Sequence, residues 1–216
     1  MPAPQDVALI FDFDNTLIHS TIDFRRIRRR LIRLLRDAGV TGEPDDALMQ
    51  LAIPQLVELG GRRSEPLAAQ MWKVIIEEED LGLGGAGAVE HAADVLQELA
   101  ARKFRLGLLT NNRREPTLDR LTELGLRAPF GAIATRDDVA VMKPMPDGVT
   151  HLLARLGPVH RVYVIGDSWI DGQAASAAGA RFIGFGRRES EVRSRGVPIW
   201  TWIADLRELL TLDLGS

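Results

Sequence analysis

The sequence predicts an α/β fold, in which a parallel sheet carries helices on both faces and a small helical domain is inserted near the start. Short apolar runs alternate along the chain with amphipathic segments of helical length. Such alternation is typical of βαβ units, whose right-handed crossovers place helices on both faces of the sheet. After the first apolar run, at residues 7–11, the next comes only at residue 104. One crossover needs far fewer residues, which predicts an extra domain in the interval.

Five buried strands and the helices between them form the predicted core. The strands are expected at residues 7–11, 104–109, 132–134, 162–165 and 182–185. The helices are expected at residues 89–101, 116–124, 146–156 and 170–178, with a final amphipathic helix at 202–212 packing on the core. We therefore predict a Rossmann-like parallel sheet with helices on both faces.

The interval after the first strand contains three amphipathic helical segments. In the first, Phe24, Ile27, Leu31 and the leucines at 34 and 35 fall on one side of a helix. The other two are expected at residues 47–59 and 67–79, and the glycine-rich stretch at 82–87 is expected to act as a hinge. We therefore predict a core of residues 1–16 and 86–216 and a small α-helical cap domain of residues 17–85.

The composition excludes several classes of protein. The 216 residues carry 27 basic and 30 acidic side chains, a net charge of -3, which argues against a generic nucleic-acid-coating protein. The absence of cysteine excludes disulfides, cysteine-ligated zinc and thiol catalysis. No apolar stretch approaches the ~20 residues that span a bilayer. The first residues show neither a basic segment nor a long apolar one, so no signal peptide is recognised and a cytoplasmic enzyme is expected.

The clearest chemical motif is Asp12-Phe-Asp-Asn-Thr16, directly after the first predicted strand. Open α/β sheets bind ligands at the carboxyl ends of their strands. Two carboxylates so close repel each other unless a metal or a shared proton relieves them. The alternative is that Asp12 or Asp14 only caps the following segment.

Polar residues follow the later strands at the same edge of the sheet. Thr110 and Asn111 end the second strand and suit phosphate oxygens, although polar strand-end turns are common. Lys143 precedes a helix start, where a surface lysine is the ordinary interpretation. Asp167 and Asp171 follow the fourth strand, where they could instead cap a helix. The convergence of all these residues on one edge favours a functional site over each separate explanation.

Lysine is rare in this chain, and that rarity bears on Lys143. Only three of the 27 basic residues are lysines, at positions 73, 103 and 143. A compact ammonium fits a narrow space between charged groups, where a planar guanidinium would be too wide.

These motifs together resemble the haloacid dehalogenase-like superfamily over nearly the whole chain. The first family motif, Asp-x-Asp-x-Thr, is matched by Asp12, Asp14 and Thr16. The remaining three are matched by Thr110, by Lys143 before a proline, and by the run of Gly166, Asp167 and Asp171. The helical insertion resembles the type-one cap of the phosphoglycolate phosphatase and phosphomutase branch. Most phosphatases of that branch have Gly after the second Asp, where this chain has Asn15, a residue that tolerates left-handed backbone.

The resemblance implies a role for each motif residue. Asp12 would attack phosphorus and form an aspartyl-phosphate, and Asp14 would protonate the leaving oxygen and then activate water. Mg²⁺ would be held by Asp12, the carbonyl of Asp14 and Asp167. Phosphoryl oxygens would be bound by Thr110, the Asn111 amide and Lys143. Thr16 would support the first motif, and Asp171 would orient the metal's shell or interact with Lys143.

The resemblance implies an Mg²⁺-dependent phosphatase acting on a small phosphorylated metabolite, phosphoglycolate phosphatase-like in type. Asp14 argues against a dehalogenase, since a halide leaving group needs no proton. The first alternative is a phosphomutase on a hexose phosphate, which differs mainly in excluding water. The second is a catalytically inactive binding or scaffold protein that uses its arginine-rich cap helix on an anionic partner. No membrane partner is expected, and the oligomeric state is left open.

Arginines outside the core motifs are candidates for substrate specificity. Seven arginines crowd residues 25–36, mostly around the apolar stripe, and are typical of a solvated helix face. We nevertheless expect Arg25 and Arg29 to contact an anionic substrate. No aromatic residues are interleaved to stack bases, so nucleic acid is not expected. Three further candidates are Arg62 and Arg63 in a predicted cap loop, and Arg113 after Thr110.

Overall fold

The structure, a computed structural model, describes residues 3–214. The chain forms two compact units by its internal contacts. The first unit combines the segment ending at Ser20 with the segment beginning at Ala86, and the second is Thr21–Gly85. None of the helices in residues 3–214 is both long enough and apolar enough to cross a membrane.

A six-stranded parallel sheet forms the centre of the first unit, and a two-stranded antiparallel pair lies beside it. The strands are β1 Val7–Phe11, β2 Ile18–His19, β3 Gly87–Ala88, β4 Arg105–Leu109, β5 Ala132–Ala134, β6 Arg161–Gly166, β7 Arg181–Phe185 and β8 Thr201–Ile203. The order in the large sheet is β5-β4-β1-β6-β7-β8, and β2 pairs with β3.

Helices flank the large sheet, and four more form the second unit. Within the second unit lie α1 Phe24–Asp37, α2 Asp45–Met49, α3 Ile53–Arg63 and α4 Glu65–Leu83. Within the first lie α5 Ala92–Ala101, α6 Arg114–Glu123, α7 Asp147–Leu156, α8 Trp169–Ala177 and α9 Glu189–Ser194. Short 3-10 helices span Pro4–Asp6, Arg136–Asp138 and Leu206–Leu210.

The central strand is the reason the core residues could be recognised. All five residues of β1 are buried, because β4 pairs with it on one side and β6 on the other. Parallel sheets covered on both faces produce such continuous apolar runs. The five strands expected from the sequence are confirmed, and so is the Rossmann-like α/β fold.

The expected final helix at residues 202–212 is wrong. Thr201–Ile203 instead adds a sixth parallel strand beside β7, and a 3-10 helix follows at Leu206–Leu210. The Trp202 ring packs edge-on against Phe182, and its indole N–H donates to the Gly186 carbonyl at 2.8 Å. These contacts favour the strand over a helical periodicity that is only local, and they illustrate tertiary context overriding sequence pattern.

The helices of the second unit also differ from expectation. The segment predicted as one helix at residues 47–59 is two, α2 and α3, since Pro54 lies in the first turn of α3. The predicted cap loop at Arg62 and Arg63 is wrong as well, because both residues lie in the last turn of α3. Gly60 is a helical packing residue: a side chain there would collide with Met71 of α4.

The core prediction can be tested at the centre of β1. Leu9 is fully buried, so Leu9→Ala removes packed methyl groups and should lower the free energy of unfolding by about 2–5 kcal/mol. Leu81→Ala is the control, because the Leu81 side chain is 72% exposed and its loss should change stability by less than ~0.5 kcal/mol. Urea denaturation measures both. Equal small losses for the two variants would contradict the placement of β1 at the core.

Candidate active site

Three neighbouring strands deliver their polar ends to one edge of the sheet. Asp12 follows β1, Thr110 follows β4 and Asp167 follows β6. The register places Phe11 beside Leu108 and Ile165, so the residues just beyond these strand ends are neighbours. The backbone N–H of Asp12 continues the ladder by donating to the Ile165 carbonyl at 2.8 Å. The parallel topology itself therefore assembles the site.

The turn after β1 fixes the first two carboxylates. Asn15 has a φ of 57°, in the left-handed region that Asn tolerates and that most other residues avoid. The Thr16 hydroxyl donates to Asp12 Oδ2 at 3.1 Å. Thr16 is fully buried, so its hydroxyl holds Asp12 from within the turn.

Lys143 lies at the centre of the buried charges. Its ammonium donates to Asp12 Oδ1 at 2.5 Å, to Asp171 Oδ1 at 2.7 Å and to the Leu109 carbonyl at 2.9 Å. Three acceptors match the three donors of an ammonium, which allows the Lys143 side chain to be buried with only 2% of its surface exposed. Burial alone would lower the pKa of Lys143, but the carboxylates of Asp12 and Asp171 outweigh it and raise that pKa above its usual range.

Asn111 holds the backbone of Lys143. Its side-chain amide donates to the Lys143 carbonyl at 2.9 Å, and its Oδ1 accepts from the Lys143 N–H at 3.0 Å. This reciprocal pair joins the loop after β4 to the segment that carries the lysine. Because the Asn111 side chain is engaged in this way, the predicted phosphate contact of Asn111 rests on its backbone N–H.

Asp171 combines the two roles considered for it from the sequence. Its Oδ2 accepts from the backbone N–H of Ser168 at 3.1 Å and from the Ser168 hydroxyl, which caps the start of α8. Its Oδ1 accepts from Lys143. Gly166 makes this approach possible, since a Cβ at that position would lie 2.6 Å from the Asp171 side chain.

Asp14 has a different environment from Asp12. Its Oδ2 accepts from the side-chain amide of Asn112 at 2.6 Å, whereas its Oδ1 is buried without a hydrogen-bond partner among the described residues. Burial raises the pKa of Asp14, against the opposing hydrogen bonds from Ser20 and Asn112. A protonated Asp14 would therefore have an unpartnered oxygen from which to donate.

Asp167 is held by a cation that the sequence analysis did not consider. Arg188, three residues after the end of β7, lies with Nη1 3.3 Å from Asp167 Oδ2. Burial and the Asp171 carboxylate raise the pKa of Asp167 to about 7, against the opposing charge of Arg188. Burial and the same Asp171 carboxylate raise the pKa of Asp12 well above its usual range, against Lys143.

The chemistry of the carboxylates fits a divalent cation. Asp12, Asp167 and Asp171 each offer an oxygen within 4.8 Å of the others, and all three are buried. Burial and the Asp171 carboxylate raise the pKa values of Asp12 and Asp167 despite Lys143 and Arg188, and a bound cation would favour the charged forms that burial disfavours. Oxygen donors alone suit Mg²⁺. Asp171 accepts three hydrogen bonds, from Lys143 and from the N–H and hydroxyl of Ser168. Among the described residues Asp12 accepts two and Asp167 accepts one, which favours Asp12 and Asp167 as the metal-binding carboxylates.

The arginines proposed for specificity are distributed over both units. Arg25 and Arg29 are exposed on α1, and Arg62 and Arg63 are exposed at the end of α3, all in the second unit. Arg62 also pairs with Glu58 at 2.6 Å. Arg113 belongs to the first unit, where it immediately precedes α6. Their part in specificity stays a prediction.

Three residues of the site were missed by the sequence analysis. Asn112 contacts Asp14, Ser168 contacts Asp171, and Arg188 contacts Asp167. Asn112 and Ser168 lie inside motifs that were recognised, next to residues that were assigned. Arg188 follows a predicted strand at the same edge as the others, and that position is the signal that could have identified it.

The buried lysine can be tested by stability. Lys143→Met leaves Asp12 and Asp171 without their cation and should cost about 3–5 kcal/mol of unfolding free energy at pH 8 in a chelating buffer. A carboxyl whose folded-state pKa lies above its unfolded value destabilises the fold increasingly as the pH rises past the unfolded value. Because burial raises the pKa of Asp12, the deficit of Lys143→Met should shrink at pH 5.

Lys103→Met is the matched control, because Lys103 is exposed. Its unfolding free energy should stay within ~0.5 kcal/mol of the parent at both pH values. Denaturant titration gives both numbers. A Lys143→Met deficit no larger than that of the control, or one that grows at pH 5, would contradict the buried ion-pair cluster.

Comparison with known proteins agrees with this geometry. The family model of the haloacid dehalogenase-like hydrolases matches residues 7–179. The chain is 26% identical over 181 residues to a phosphoglycolate phosphatase of Rhodobacter capsulatus, covering 82% of each chain. It is 36% identical over 96 residues, or 44% of each chain, to the pyrophosphatase PpaX of Bacillus pumilus.

Solved structures give the same result. A Bacteroides fragilis protein assigned as a haloacid dehalogenase-like hydrolase superimposes with a TM-score of 0.71 at 25% identity, covering 94% of this chain and 98% of that one. The family model spans both ends of the site, from β1 through the end of α8. The chain therefore belongs to the haloacid dehalogenase-like hydrolase family.

Proposed function

We propose that this protein is a phosphatase that hydrolyses a small phosphate monoester with Mg²⁺, through an aspartyl-phosphate on Asp12. The observation that carries the proposal is the contrast between two neighbouring buried carboxyls. Asp12 is bound by the Lys143 ammonium, whereas Asp14 is bound by the neutral amide of Asn112 and has an oxygen without a hydrogen-bond partner among the described residues. One environment suits a charged nucleophile and the other a proton donor.

In the first step Asp12 attacks phosphorus as the bond to the leaving oxygen breaks. Lys143 and Thr16 hold the carboxylate in place, so little orientational freedom has to be lost in the transition state. Asp14 transfers its proton to the leaving oxygen, which departs as a neutral alcohol. The products are the free alcohol and phosphorylated Asp12.

In the second step water replaces Asp12 on phosphorus. Asp14, now ionised, accepts a proton from the water as its oxygen attacks, and the bond between Asp12 and phosphorus breaks. Inorganic phosphate leaves, and both carboxyls return to their starting states. Asn112 positions Asp14 throughout, since its amide donates to the oxygen opposite the one that transfers the proton.

Mg²⁺ would be held by Asp12, the backbone carbonyl of Asp14 and Asp167, and it would supply positive charge that neutralises the phosphoryl oxygens. The protein's own groups for those oxygens are the Thr110 hydroxyl, the Asn111 backbone N–H and Lys143. Lys143 would bind a phosphoryl oxygen by exchanging one of the three acceptors that its ammonium now contacts. Thr110 is 2% exposed at the end of β4, so its hydroxyl is protected from competing bulk water.

The substrate class is a small phosphorylated metabolite. Its support is the similarity to proteins named phosphoglycolate phosphatase and pyrophosphatase. Arginines offer charge to an anionic substrate, and we assign that role to the exposed Arg25, Arg29, Arg62 and Arg63 and to the half-buried Arg113. Substrates of this class are met in the cytoplasm, which is the location proposed here.

The nucleophile is tested by Asp12→Asn. Hydrolysis of a panel including 4-nitrophenyl phosphate, 2-phosphoglycolate and pyrophosphate should require Mg²⁺ and should fall at least ~10³-fold in the variant, because an amide cannot form the acyl phosphate. Asp119→Asn is the control, since Asp119 is an exposed carboxylate on α6 of the same unit.

Full turnover by Asp12→Asn, or no hydrolysis of any ester by the parent protein, would overturn the proposal. Hexose phosphate interconversion that exceeds phosphate release would identify a phosphomutase instead. Binding of an anionic partner without turnover of any ester would identify a scaffold protein.

The proton donor is tested by the leaving group. In kcat/KM, which reports the steps up to formation of phosphorylated Asp12, Asp14→Asn should lose ~10²-fold or more with an alkyl phosphate. It should lose much less with 4-nitrophenyl phosphate, because nitrophenolate departs without a proton. An equal loss with both esters would contradict the assignment of Asp14 as the acid.

A further inference from the structure

Arg188 lies at the edge of the site, outside the recognised motifs. It follows β7, which places it at the same edge of the sheet as the ends of β1, β4 and β6. Its Nη1 lies 3.3 Å from Asp167 Oδ2. The Arg188 side chain is 41% exposed and that of Asp167 is 11% exposed, so the pair spans the boundary between the buried cluster and solvent.

Glu191 fixes the guanidinium at that position. Arg188 Nε donates to Glu191 Oε2 at 3.0 Å, and Nη2 donates to Oε1 at 3.0 Å. Such a two-point contact sets the plane of the guanidinium as well as its distance. The remaining nitrogen, Nη1, is thereby directed at Asp167.

The charges divide into two sets. The Lys143 ammonium binds Asp12 and Asp171, and its third proton goes to the Leu109 carbonyl. Its three donors are used, which leaves none for Asp167. Arg188 supplies positive charge to Asp167 from the opposite, solvent-facing side.

We propose that Arg188, held by Glu191, is a counter-ion for Asp167 that competes with the divalent cation and lowers its affinity. The inference rests on the proposed function, in which Asp167 is a metal ligand. Guanidinium and metal share one carboxylate, and a nearby positive charge also repels a cation directly. Both effects act in the same direction, so Arg188 makes metal occupancy depend on the free concentration of the cation.

A purely supporting role for Arg188 predicts the opposite sign. If the guanidinium served only to orient Asp167 for the metal, its removal would weaken metal binding. The sign of the change in affinity therefore separates competition from support, without reference to catalysis.

The direct test is calorimetric titration of the metal-free protein with MgCl₂. Arg188→Gln should lower the Kd for Mg²⁺ about three- to tenfold, a size expected for one partly exposed charge. Arg188→Lys keeps the charge but loses the two-point contact with Glu191. Its Kd for Mg²⁺ should lie between the values of the parent protein and Arg188→Gln. Arg193→Gln is the matched control, because Arg193 pairs with Glu189 on the same short helix and should leave the Kd unchanged.

Glu191→Gln tests whether Glu191 acts by holding the Arg188 guanidinium in place. Loss of the carboxylate should alter the Mg²⁺ affinity of the parent protein, and this change should disappear in the Arg188→Gln background, because Glu191 is proposed to act through Arg188. A change of equal size in both backgrounds would show that Glu191 has an effect of its own, and it would contradict an action through Arg188.

Thermal unfolding gives a second readout. Without metal, Arg188→Gln should melt at a lower temperature than the parent, since Asp167 loses a counter-charge. The rise in Tm on adding Mg²⁺ should be larger for the variant, because a tighter ligand stabilises the folded state more. Arg193→Gln should show the parent's rise.

The outcomes distinguish this inference from the proposed function. A parent protein that binds Mg²⁺, together with an Arg188→Gln variant of equal or weaker affinity, would overturn the competition and leave the phosphatase proposal standing. A parent protein that neither binds Mg²⁺ nor is stabilised by it would overturn both.

Discussion

The Lys143 ammonium, placed between Asp12 and Asp171, is the interaction on which the rest of the site depends. Four buried carboxyls, Asp12, Asp14, Asp167 and Asp171, meet within a few residues of two neighbouring strand ends, those of β1 and β6. A buried charge is tolerated only when it is paired and fully hydrogen-bonded, and Lys143 meets that condition with three acceptors. The segments around it serve this placement: Asn111 clamps the lysine backbone, and Ser168 holds Asp171 while it caps α8.

The position of Lys143 also explains why two adjacent carboxyls can do different work. Asp12 receives the ammonium, which favours its charged form and opposes the effect of burial. Asp14 receives a neutral amide from Asn112, although burial raises the pKa of both carboxyls. In the proposed mechanism the separation of acid and nucleophile would arise from these neighbours, since the two side chains are chemically identical. Asp167 is balanced by Arg188, so the charge of the cluster is divided between the buried ammonium of Lys143 and the partly exposed guanidinium of Arg188.

The core strands and the polar residues at their ends could be predicted from the sequence, because buried apolar runs mark the strands and the ends of parallel strands share one edge of the sheet. β1 and residues 162–165 of β6 are continuous apolar segments, so the polar residues after them could be assigned to one edge of the sheet from the sequence. The predictions that failed concern residues whose structure depends on contacts with other segments of the chain. Thr201–Ile203 is a strand because it pairs with β7 and packs Trp202 on Phe182, partners distant in sequence. Arg62 and Arg63 were expected in a loop, but they lie in helix α3, where Gly60 allows Met71 of α4 to approach closely. Arg188 belongs to no recognised motif, and only its contact with Asp167 reveals it.

In the proposed mechanism Asp12 takes the phosphoryl group, and none of the other buried carboxyls does. Acid quenching during turnover, followed by borohydride reduction, converts a phosphorylated aspartate to homoserine, which peptide mass spectrometry locates by residue. If Asp12 is the nucleophile, homoserine should appear at position 12, and positions 14, 167 and 171 should keep unmodified aspartate. Homoserine at any of those three positions, with Asp12 unmodified, would contradict this assignment.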